Sequence, residues 1–134
     1  MSKILIEPTS GLSNDQVAFI SNFCMRCENA LGLDSGAHVT TLTGDKAKHN
    51  ITTTAHFNPS DNAVVVFTSG RHEVDIIRSI AHELVHMQQA SNNFYGLDIN
   101  TVPDVGGQLE DEANAVAGQL VKLFLLGQPK YPGG

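Results

Sequence analysis

Tryptophan is absent from this chain, cysteine occurs twice, and Lys plus Arg total 8 against 14 Asp plus Glu, giving a formal net charge of −6. So few cations, with no basic run, argue against a nucleic-acid surface built on phosphate neutralisation. No apolar stretch approaches the roughly 18–20 residues of a membrane span, and the opening MSKILIEPTS is too short for a signal-peptide core. The sequence therefore predicts a soluble, cytoplasmic protein with neither nucleic acid nor membrane as a partner. Repeats, low-complexity tracts and linkers are also missing, so residues 1–134 are expected to form a single domain. At 41% apolar and 16% charged residues, 134 positions suffice for a hydrophobic core without disulfide help.

The two cysteines, Cys24 and Cys27, stand as C-x-x-C among Val17, Ile20, Phe23 and Leu31, the apolar positions of an amphipathic helix that a capping box at Ser13 and Gln16 would start. Core packing is favoured over a redox or metal role, because there is no second C-x-x-C and no βαβ pattern is evident around this one.

Hydrophobic periodicity and turn signals give the remaining elements. Strands are expected at Lys3–Glu7, His38–Thr43, Asn50–Phe57 and Ala63–Thr68, the last two joined antiparallel by a hairpin turn at 58–62. Helices are expected at Asn14–Leu31, Glu73–Ala90 and Gln108–Leu126, the last stopped by Gly127 and Pro129. The order of elements reads as an α+β fold with a short, mostly antiparallel sheet.

The second helix carries IAHELVHMQQ. With six His and six Glu in the chain, His-Glu-x-x-His would arise in only about one shuffled sequence in a hundred. Residues i and i+4 of a helix lie one above the other, so His82 and His86 can reach a single ion, and Glu83 on the adjacent edge can accept a proton from water at that ion. Ile77, Ile80, Ala81, Leu84 and Val85 form the buried stripe, and His82, His86 and Gln89 share a neighbouring face. Acidic Glu73 and Asp75 fall in the first turn, where the helix dipole favours them.

Two histidines need a third ligand to hold zinc firmly. No histidine follows His86, so a downstream ligand must be a carboxylate: Asp98, Asp104, Glu110, Asp111 or Glu112. On the last helix Glu110 shares a face with Ala113 and Ala117, small enough to let that helix approach the first. Glu112 lies about 200° around from Glu110 and is expected to point elsewhere.

In these two motifs, His82-Glu83-x-x-His86 and Glu110-x-x-Ala113-Asn114, the chain resembles the gluzincins, zinc peptidases with a ligand glutamate on a following helix. It is similar in particular to the minigluzincins and the ImmA/IrrE-like peptidase domain, over roughly residues 50–126. The resemblance implies a small zincin-like domain in which His82, His86 and Glu110 bind Zn²⁺, Glu83 is the general base, and Asn114 orients a ligand histidine. It further implies a peptide or protein substrate laid along the strand Ala63–Thr68 as an edge strand. Tyr95 or Tyr131 would stabilise the oxyanion, with His72 and Arg71 as further candidates. Two other readings stay open: a zinc-binding regulatory or binding protein without turnover, and a deformylase-like hydrolase that would recruit Cys24 or Cys27 as a ligand.

Overall fold

The computed structural model describes residues 2–33, 38–91 and 107–128. Strand β1 (Ser2–Ile6) passes through a 3-10 turn at Pro8–Ser10 into helix α1 (Asn14–Leu31). The expected capping box is formed: the Ser13 hydroxyl accepts from Gln16 N at 3.1 Å, and the Gln16 side chain accepts from Ser13 N at 3.0 Å. Gly32, at φ 70°, ends the helix in the left-handed conformation that suits glycine.

Strand β2 (His38–Thr43) is followed by a single helical turn, α2 (Lys46–His49), then β3 (Ala55–Asn58) and β4 (Ala63–Phe67). The sequence reading extended a strand back to Asn50, but β3 begins only at Ala55. The local reason lies upstream, where the Asp45 side chain accepts from Lys48 N at 3.0 Å and nucleates a turn that Asn50 closes at φ 57°. Long helices α3 (Glu73–Ser91) and α4 (Gln108–Leu126) complete the chain, within a residue of their expected limits. The fold is α+β. No helix among the described residues is long and apolar enough to cross a membrane.

The sheet corrects the expected pairing. Its order is β1-β2-β4-β3, with β1–β2 and β2–β4 parallel and only β3–β4 antiparallel. Helix α1 is a crossover between two parallel neighbours, so β1-α1-β2 is the βαβ unit that the sequence did not reveal. The hairpin was read correctly, with Phe57 opposite Val64, but β4 turns its other side to β2, with Thr41 opposite Val65. The strand expected at Ala63–Thr68 is thus internal, and among the described strands the edge beside α3 is β3.

Helix α3 lies at the centre, packed on α1, α4, β3 and β4. Its stripe Ile76, Ile77, Ile80, Ala81, Leu84 and Val85 is wholly buried, each large side chain contributing about 1.5–3 kcal/mol of transfer free energy. Val64, Val66 and Leu42 meet it from the sheet, and Ile20, Phe23 and Leu31 from α1, in one contiguous core. Helix α4 turns buried Ala113, Ala117 and Val121 inward. Phe124 closes the far end, edge-on to Phe19 and Phe23 at centroid distances of 5.3 and 5.1 Å.

Candidate metal centre

The junction before α3 is fastened by residues the sequence left as possible catalytic groups. Arg71 donates to Phe67 O at 2.7 Å, Asp75 O at 3.0 Å and Ser79 Oγ at 2.6 Å. His72 Nδ1 accepts from Val74 N at 3.1 Å in the first helical turn. Arg71 ties β4 to α3, and His72 satisfies a backbone donor that the helix start leaves without an intrahelical partner.

Two turns further along, the rings of His82 and His86 stand edge to face with centroids 4.8 Å apart. Both present Nε2 to the same point: the two nitrogens are 3.2 Å apart, His82 Nε2 is 2.8 Å from Glu110 Oε1, and His86 Nε2 is 3.2 Å from Glu110 Oε2. Among the described residues, this trio is the one group of His, Cys, Asp and Glu whose ligand atoms converge closely enough to hold a metal. The donor set suits zinc, which takes imidazole nitrogen and carboxylate oxygen at about 2.0–2.2 Å in a tetrahedron whose edges are then roughly 3.3–3.6 Å. Separations of 2.8–3.2 Å are shorter than that edge, so an ion would spread the three groups slightly. His86 is 5% exposed, while the Glu110 side chain retains 24% and that of His82 19%, so the open side of the trio faces solvent.

Glu83, half-buried, lines a cleft of about 410 Å³ together with His82, Ser79 and Arg78 on α3 and Thr53, Thr54 and Ala55 at the start of the edge strand. The cleft is mostly polar. A larger cavity of about 510 Å³ lies between α1 and α4, walled by Phe23, Leu120, Leu123 and Phe124, but it contains none of the three converging residues.

Second contacts differ from those expected. Asn114 is exposed and takes no part in the hydrogen bonds of the trio. Its α4 neighbour Ala113 faces inward instead, and a residue one position on is rotated about 100° away from it. The polar group that holds His86 is Gln89, 2% exposed, whose Oε1 lies 2.8 Å from His86 Nδ1. Glu112, expected to point elsewhere, is not among the three converging residues, yet it accepts from Gln89 Nε2 at 2.8 Å and so touches the histidine at one remove. The sequence placed Gln89 on the histidine face without giving it a task. Its i+3 spacing from His86 was the available signal.

Tyr95, Tyr131, Asp98 and Asp104 lie outside the described residues. Cys24 and Cys27 are free thiols buried in the core. Burial, reinforced by the nearby Glu28 carboxylate, pushes the Cys24 thiol up to about 12. Burial also pushes Cys27 up, helped by Cys24 and Glu28. Neither joins the converging trio, as the core-packing reading requires, although α1 does sit in a βαβ unit.

No protein-family model, no curated protein and no solved structure matches this chain.

Proposed function

We propose that the protein is a zinc-dependent metallopeptidase of the gluzincin kind. The observation that carries this reading is the convergence of His82 Nε2, His86 Nε2 and the Glu110 carboxylate beside Glu83. His82, His86 and Glu110 would hold the ion. Zinc bound there would supply Lewis acidity, polarising a scissile carbonyl and making water nucleophilic near neutral pH.

The chain's own residues do the rest. Glu83 follows His82 directly in the helix and lines the same cleft, so its carboxylate accepts the proton of the attacking water and returns it to the departing amine. The expected substrate is an extended peptide. Strand β3 pairs on one side only among the described strands, and residues 53–55 wall the cleft, so a peptide added to that edge would run past Glu83. Arg78 and Asp75 stand at the helix side of the cleft as an exposed ion pair 3.6 Å apart, a weak pairing that polar substrate groups can replace.

A cytoplasmic setting goes with this reading, supported by two buried cysteines kept as free thiols. The test is zinc content of purified protein paired with hydrolysis of a peptide library. One zinc per chain and chelator-sensitive cleavage are expected. Protein that takes up no zinc on titration would overturn the proposal, and zinc uptake without any cleavage would make it a binding protein.

A further inference from the structure

We infer that Gln89 is a positioning residue: it fixes the His86 ring in the tautomer that leaves Nε2 free as a metal ligand, and Glu112 fixes Gln89. The inference rests on the reading of His86 as a ligand and adds what prepares it.

The argument is one of donors and acceptors. A glutamine amide offers one acceptor oxygen and two N–H donors. Gln89 Nε2 lies 2.9 Å from the carbonyl oxygen of Leu109 and 2.8 Å from Glu112 Oε1. Both partners only accept, so they claim the NH₂ end and settle which way the amide points. The end left for His86 is the oxygen, 2.8 Å from Nδ1. Facing an acceptor, Nδ1 must be the donor, and the neutral ring then carries its lone pair on Nε2. That atom is the one directed at His82 and Glu110.

A neutral histidine side chain free in water keeps its proton mainly on Nε2, the wrong end for this site. Gln89 reverses that preference, and it can do so because it is buried at 2% exposure, where water cannot replace either partner. The arrangement also explains two features of α4. Its first two turns supply the ligand carboxylate from Glu110 and, through Leu109 and Glu112, the two acceptors that orient Gln89. Docking of α4 on α3 thereby brings the third ligand and readies the second in one event.

Nitrogen-15 NMR of the metal-free protein at mildly alkaline pH reads the tautomer directly, and zinc affinity is measured beside it by chelator competition. Wild type should show His86 protonated on Nδ1. Gln89→Leu should lose that signature and weaken zinc binding by about 10–100-fold, the usual effect of removing an outer partner of a ligand histidine. The double variant Gln89→Glu with Glu112→Gln keeps an acceptor against Nδ1 and gives it a donor from position 112, while setting a carboxylate oxygen against the Leu109 carbonyl where an N–H now donates. It should regain the Nδ1 tautomer without the full affinity, and its tautomer decides the matter if Gln89→Leu fails to fold. Wild-type His86 protonated on Nε2 would overturn the inference. So would a folded Gln89→Leu that keeps the Nδ1 proton and wild-type affinity, or a folded double variant without the Nδ1 proton. Because the tautomer is read without metal, its failure is distinguishable from a failure of the chain to bind zinc.

Discussion

His86 Nε2 and Glu110 Oε2 lie 3.2 Å apart although 24 positions of chain separate them. Nothing local brings these atoms together. The contact exists because buried Ala113 and Ala117 carry no bulk to hold α4 off α3, so the carboxylate at the start of α4 reaches the histidines on the middle turns of α3.

The first prediction follows from that contact. Wild-type protein should bind one zinc ion, and zinc at a hundred times its dissociation constant should add about 2.7 kcal/mol to the unfolding free energy. Glu110→Ala should remove most of this zinc-dependent gain while leaving the metal-free melting curve nearly unchanged, since Glu110 is only partly buried. Thermal melts with and without zinc read both quantities. An equal gain in the two proteins would show that Glu110 is no ligand.

A second prediction concerns acid. The Glu7 carboxylate accepts from the Thr43 hydroxyl, Lys48 Nζ and His49 Nε2, and these bonds, Thr43 first, hold its pKa at about 2, below the ordinary 4.5. A carboxylate depressed in the folded state contributes stability above its unfolded value, and that contribution disappears as pH falls through the folded value. Urea midpoints should therefore drop between pH 4.5 and about 2, and Glu7→Gln should flatten that part of the profile. Parallel profiles for the two proteins would contradict the assignment.

The cysteines provide a third. With Cys24 raised to about 12 by burial and Cys27 also raised, almost no thiolate exists near neutrality, and the thiolate is the reactive form. Native protein should react with a thiol reagent only at the rate at which it opens, and fast in denaturant. Adding zinc should change the native rate by no more than its effect on stability. Outright zinc protection that persists in a Glu110→Ala background would revive a cysteine ligand.

These outcomes also mark how far the sequence could be read. His82, Glu83 and His86 were legible because helical spacing alone puts i and i+4 on one face. Glu110 could be chosen over Glu112 by rotation along α4, and the structure brings Glu110, not Glu112, to the histidines. Asn114 could not be judged that way. It follows Glu110 by one turn, but exposure on that turn depends on how α4 crosses α3, which no local pattern encodes. The parallel β1–β2 and β2–β4 pairings were hidden for the same reason: hydrophobic alternation marks a strand but not its neighbour. The misplaced edge followed, since β4 became internal only through its pairing with β2. Gln89 was visible on the histidine face, while its two acceptors on α4 were not.

The central claim, that zinc and Glu83 act together on peptide bonds, is tested most directly by one comparison. An unbiased peptide mixture is incubated with zinc-loaded wild type and zinc-loaded Glu83→Gln, and the products are read by mass spectrometry. Wild type should cleave flexible, extended peptides, and a chelator should stop it. Glu83→Gln should keep its metal and lose about 10²–10⁴ in rate, the usual loss with a general base. Identical product patterns from the two proteins would contradict the account.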